Sequence, residues 1–194
     1  REAVHQRAYA LLNDTLGLPD EEYHAFLEYK EMADKIDFMK QGDINTHTGL
    51  ALALAQSVFN EGLAVFASFV MLLNFQRHGK MKGMGQIVSY SIKDESLHVE
   101  AMTKLFREFI QENIDIWTDE FKKEIYQSCR DMVNLEQKFL DLVFEMGDIP
   151  GLTRKEMSDY VEYIADRRLL QLGLKPNYNV KDNPLDWLDD VLGV

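Results

Sequence analysis

The sequence predicts an all-α fold, and three observations predict it. Apolar residues recur at three- and four-residue spacing between breaks made by glycine and proline. The longest apolar runs have the length of helices rather than strands. No alternating pattern, internal repeat or low-complexity stretch competes with that reading. The chain has 194 residues, 46% of them hydrophobic, which is enough for one sizeable core. Residues 1–194 therefore read as a single helical domain.

The helical pattern begins at Glu2 and runs to about Leu16, where Gly17, Leu18 and Pro19 end it. Asp20 then caps a second helix over about 21–39, with Tyr23, Phe26, Leu27 and Ile36 on one side and charges on the other. Gln41, Gly42 and Asp43 make a turn. A third, very apolar helix is expected from His47 to Arg77, and Gly79, Gly83 and Gly85 are expected to loosen its connection to a fourth over about 86–112. Thr118 starts a fifth helix that runs to Met146, with Phe121, Ile125, Cys129, Met132, Phe139 and Val143 at helical spacing. Thr153 caps a sixth that continues to about Leu172, before Gly173 and Pro176 stop it. The rest reads as loop, with a short turn around residues 184–187.

Residues 51–75 carry one formal charge, Glu61, and are long enough to cross a bilayer. An ionisable group in mid-membrane is rare, and five amphipathic helices need an apolar partner in water. A central helix buried on all sides meets that need, so no membrane partner is expected. The net charge of −12, with a pI near 4.8, argues against a nucleic-acid surface, which requires clustered Lys and Arg. The single cysteine, Cys129, and the lack of a signal-peptide pattern fit a reducing, cytoplasmic setting.

With 16 Glu and 5 His in the chain, chance placement gives ~0.4 Glu-x-x-His matches. Three are present. Glu21 and His24 lie in the first turn of an amphipathic helix, where the helix dipole alone favours acidic residues. Glu2 with His5 and Glu95 with His98 differ, because apolar neighbours surround them. At this spacing both side chains lie on one helix face, close enough to hold one metal ion. Glu61 sits among Val58, Phe59, Leu63, Val65 and Phe66, so burial there calls for either a neutralised carboxyl or a cation. Two Glu-x-x-His pairs with separate helix-borne carboxylates form the core of ferritin-like di-iron bundles. Carboxylates with imidazoles suit iron or manganese. A di-metal site would also want a fourth carboxylate, for which Glu28, Glu31 and Asp34 on the second helix are candidates with a solvated setting.

Tyr9 lies one turn beyond His5 on the same face, as an ordinary core tyrosine or as a group near a bound metal. Val65 and Phe69 follow Glu61 by one and two turns and would wall the site. Asp94 cannot share the face of Glu95, but it can accept a hydrogen bond from the outer nitrogen of a ligand histidine.

Five segments, residues 2–9 (EAVHQRAY), 60–69 (NEGLAVFASF), 93–98 (KDESLH), 163–168 (YIADRR) and 183–187 (NPLDW), resemble the small, or β, subunit of class I ribonucleotide reductase, in that family's order and across essentially the whole chain. The resemblance implies a ferritin-like helical bundle of that subunit's type. It makes Glu2, His5, Glu61, Glu95 and His98 ligands of two iron ions, or of manganese or a mixed pair. It makes Tyr9 the radical-bearing tyrosine and Asp94 the aspartate that couples the metals to the radical route. The implied partners are the large (α) subunit and a second copy of the chain, in the cytoplasm, or the host cytoplasm for a viral protein. The implied activity is ribonucleoside-diphosphate reduction by the complex. The family's sixth ligand comes from a helix before Glu2 and its flexible tail follows beyond Val194, so the chain is expected to be an incomplete core. Another di-metal oxidase of the same bundle type, a ferritin-like iron protein and a metal-free helical protein with a neutral Glu61 are the rival readings.

Overall fold

The structure is a computed structural model that describes residues 2–25, 28–39 and 44–192, with the backbone alone at residues 2, 23, 25, 39 and 192. Phe26, Leu27 and the turn expected at residues 41–43 lie outside the described residues, as does the Tyr23 side chain. Among the described residues the chain is all-α: α1 (Glu2–Leu16), α2 (Asp20–Ala25), α3 (Lys30–Met39), α4 (His47–Gly62), α5 (Phe66–Arg77), α6 (Lys82–Glu112), α7 (Asp119–Glu145), α8 (Arg154–Gln171) and α9 (Trp187–Leu192). An isolated bridge pairs Ile149 with Leu152 in the α7–α8 connection.

Helix starts follow local chemistry. The Thr46, Thr118 and Thr153 hydroxyls accept from the backbone N–H three residues on, which satisfies donors the helix itself leaves free. At Thr153 the Glu156 carboxylate returns the bond to the Thr153 backbone N–H, closing a capping box.

The apolar α4 and α5 lie in the middle. α6 runs along both, α7 packs on α4, and α8 contacts α7, α4 and α5. α3 rests on α7, α1 on α6 and α9 on α5. The sequence from His47 to Arg77 is apolar enough to span a membrane by composition. Burial inside the bundle accounts for that apolarity: Ala51, Ala55, Val58, Phe59, Ala67 and Leu73 are fully or almost fully covered. Burying a Phe or Leu side chain such as Phe59 or Leu73 contributes about 1.5–3 kcal/mol.

Four expectations need correction. The second helix is two, α2 and α3, and among its described side chains the buried one is Lys35, while Ile36 is only partly covered. The third is also two, because residues 63–65 break the ladder: Leu63 and Ala64 both donate to the Phe59 carbonyl, and Phe66 donates to Leu63. The fourth begins at Lys82 and takes in Gly83 and Gly85. Gly85 is a contact glycine: a Cβ there would lie 1.8 Å from Gln76 Oε1 on α5, so its missing side chain lets α5 and α6 approach. On α7 the stripe turns from Met132 to Val133, Glu136 and Leu140, which leaves Phe139 and Val143 half-buried.

The helix break is secured by two cations. Arg168 Nε donates to Gly62 O at 2.8 Å, and Lys35 Nζ donates to Ala64 O at 2.8 Å. Lys35 also pairs with Glu136 on α7 at 2.5 Å, and the Glu136 side chain has no solvent exposure. Burial pushes the Glu136 carboxyl up to about 7, with Lys35 pulling partly the other way.

Lys35→Ala should therefore destabilise the protein by about 3–5 kcal/mol in urea denaturation, since it strands a buried carboxyl, and pairing it with Glu136→Leu should recover much of the loss. Because Glu136 holds its proton more tightly folded than unfolded, its contribution is present near pH 4.5 and is lost as pH rises to about 7. Glu136→Gln should flatten the fall of unfolding free energy across that window, and an unchanged slope would show that Glu136 does not titrate there.

Candidate metal centre

α1 lies antiparallel to α6, since one step forward from His5 to Tyr9 is matched by one turn backward from Asp94 to Ser91. His5 Nε2 is 3.0 Å from Asp94 Oδ2, and the Tyr9 hydroxyl is 3.0 Å from Ser91 Oγ. The other edge of the His5 ring faces Glu95: Nδ1 lies 4.0 Å from Oε1. The second Glu95 oxygen is 3.4 Å from His98 Nδ1. Glu95 thus presents one oxygen toward each histidine.

α4 supplies the other wall. Glu61 Oε2 lies 3.2 Å from His98 Nδ1, and Glu61 Oε1 accepts from the Ser57 hydroxyl one turn earlier at 3.0 Å. Ligand atoms of Glu61, Glu95 and His98 all fall within 4.8 Å of one another. Glu61 is not engulfed by its apolar neighbours as its sequence setting predicts. Val58, Phe59, Leu63 and Phe66 face the core, while the carboxylate turns toward α6 and keeps 31% exposure.

The donors suit a divalent cation. Glu61 Oε2 is buried and makes no hydrogen bond, although His98 Nδ1 lies 3.2 Å away. A buried acceptor in that state is costly unless a cation meets it. Hard oxygens with imidazole nitrogens are the set that iron and manganese take.

Of the predicted residues, Glu61, Glu95 and His98 come together, and His5 adjoins them through Glu95. Asp94 sits on the far edge of His5. The Glu2 backbone lies one turn before His5 on α1, and its side chain is outside the described residues. Glu28, Glu31 and Asp34 do not join the group, and Glu21 and His24 are both exposed in α2. Tyr9 is half-buried. Burial raises its phenol above the ordinary tyrosine range and Glu95 adds to that, while the Ser91 hydrogen bond acts against it. Val65 and Phe69 are part-covered and pack on the core.

Sequence reasoning missed Ser57, Ser91 and Arg168. Ser91 was within reach, because it precedes Glu95 by four and His98 by seven and so shares their face. Arg168 carried no local signal. A groove of about 730 Å³ opens on a different face of α6 against α8, lined by Thr103, Arg107, Arg168 and Gln171 among others.

The family model described as ribonucleotide reductase, small chain, matches residues 1–184. The chain is 39% identical to the "Probable ribonucleoside-diphosphate reductase small subunit 048L" of Invertebrate iridescent virus 3, over 99% of this chain and 56% of that one. It is 32% identical to the ribonucleoside-diphosphate reductase subunit beta of Chlamydia pneumoniae, over 98% of this chain and 59% of the relative. Its fold superposes on the ribonucleotide reductase R2 subunit from Clostridium botulinum with a TM-score of 0.89 at 26% identity, covering 98% of this chain and 63% of that one. The chain spans little more than half the length of these curated relatives. With the family model matched along nearly its whole length and the helical bundle shared with a solved R2 subunit, the chain belongs to the ribonucleotide reductase small-chain family.

Proposed function

We propose that this chain acts in the radical-generating small subunit of ribonucleoside-diphosphate reductase, with Glu2, His5, Glu61, Glu95 and His98 holding two metal ions beside Tyr9. The observation that carries the reading is Glu95, whose two oxygens point toward His98 and His5 with Glu61 alongside. One carboxylate set between two histidines is the arrangement that two neighbouring cations need. When bound, a pair of iron ions, or manganese or a mixed pair, would supply one-electron oxidising power drawn from dioxygen.

The chain's own residues have separate tasks. Asp94 orients His5 through Nε2, which leaves Nδ1 turned toward Glu95 as the ligand nitrogen. Ser57 holds one Glu61 oxygen and leaves the other toward His98. Tyr9 is the group that gives up an electron and its phenolic proton, and its half-burial restricts water and reductants from the ring. The stored radical would serve the large subunit, which reduces the ribonucleotide. The assembly is a homodimer in the cytoplasm, or the host cytoplasm for a virus.

Metal analysis after anaerobic Fe(II) or Mn(II) loading should find up to two ions per chain. Asp94→Ala should weaken metal affinity about 10–100-fold, as loss of a ligand's outer partner does. Retention of neither metal would sink the reading, and accumulation of many irons per chain would favour storage. After air exposure of the iron-loaded protein, EPR should show a tyrosyl radical that disappears in Tyr9→Phe. A radical persisting in that variant would move the assignment to another tyrosine.

A further inference from the structure

A serine inside a helix ordinarily turns its hydroxyl back to the carbonyl four residues earlier. Ser89 does this, donating to Gly85 O at 2.9 Å. Two residues on, Ser91 does something else. Its hydroxyl reaches across to α1 and meets the Tyr9 oxygen at 3.0 Å, and Ser91 is 2% exposed. The contact joins residues 82 apart in the chain, directly beside the carboxylate–histidine cluster. Packing alone would favour an apolar side chain at so buried a position. A small hydroxyl there instead gives the half-buried phenol a partner fixed on a neighbouring helix.

We infer that Ser91 is a positioning residue for Tyr9: its hydroxyl fixes the phenol oxygen and is the hydrogen-bond donor in place when the phenol has lost its hydrogen. This deepens the reading of Tyr9 given above and rests on it for the second part. In the resting phenol either oxygen can donate to the other. Oxidation takes one electron and the phenolic proton from Tyr9. These are one of the four electrons and one of the four protons that reduce dioxygen to water, the other electrons coming from the reduced metal pair and an external one-electron reductant. The phenoxyl oxygen that remains can only accept, so the Ser91 O–H must turn toward it. A bond of this kind draws spin density away from the oxygen and holds the ring in one orientation.

Two measurements separate the parts. In metal-free protein labelled with [ζ-13C]tyrosine, the Tyr9 resonance is identified by its loss in Tyr9→Phe. Ser91→Ala should shift that resonance and leave the other tyrosines in place, which also shows that the variant is folded. Ser91→Thr, which keeps the hydroxyl, should return it toward the wild-type position. A Tyr9 resonance unmoved by Ser91→Ala overturns the inference whatever the metal chemistry.

In iron-loaded, air-oxidised protein exchanged into D2O, high-field EPR and deuterium ENDOR should find an exchangeable deuteron coupled to the radical. Ser91→Ala should lose that coupling and change the g-anisotropy, and Ser91→Thr should restore both. A wild-type radical without the coupling, or a coupling that survives Ser91→Ala, overturns the donor role. Absence of any radical overturns the functional reading above and the donor role with it, while the metal-free spectra still decide the resting contact.

Discussion

The feature on which the rest depends is the break in the apolar helix immediately after Glu61. Continuous helix would satisfy its own carbonyls and need nothing from outside. Here Gly62 O and Ala64 O take hydrogen bonds from Arg168 and Lys35 instead. Each cation is also set over a ring, Arg168 over Phe66 and Lys35 over Phe139, so its charge meets π-electron density as well as oxygen. Desolvating Lys35 then requires Glu136, and desolvating Glu136 raises its proton affinity. One local irregularity thereby ties α4 to α3, α7 and α8. Buried ion pairs are weak sources of net stability, and their better-attested use is to fix one arrangement among several.

That arrangement has a chemical result one residue away. With the C-terminal end of α4 held by Arg168, the last turn presents Glu61 to α6 rather than to the core. Gly62 serves the same end, since a Cβ there would come 2.4 Å from Arg168 Nε and 2.8 Å from Val99. α8 contributes more than Arg168. Its Asp166 is almost wholly buried and accepts three backbone N–H groups, from Asn177, Tyr178 and Val180, which gathers the chain after α8 against the helix. Arg77 lies over the Trp187 ring and ties α9 to α5.

Most of the fold was legible because helices are local: spacing, threonine caps and glycine stops lie within a few residues of what they control. The cluster was legible for the same reason, since Glu95 and His98 share a face by counting alone. What could not be read was set by distant partners. The break at residues 63–65 has no proline or loop signature, for the donors that make it affordable sit on α3 and α8. Gly85 reads as a loop glycine until α5 is seen against it. Lys35 looks like one more surface charge, and Glu136 like one polar position on an amphipathic helix, until the two are seen to meet. Glu61 stands out in the sequence as the one charge in an apolar run, but its setting predicts a charge in the core, and periodicity cannot report that a side chain leans away from its apolar neighbours.

The reach of the Arg168–Gly62 bond has a consequence for how the chain comes to be folded. It closes a loop of 106 residues, longer than the 89 between His5 and Asp94. Closing such loops costs entropy before any contact repays it. During synthesis the glutamates and histidines of the cluster all emerge well before residue 168, so they exist for a time on a helix whose end is not yet clasped. The wall beside Glu61 is therefore finished late, by a helix that contributes none of the cluster's own side chains.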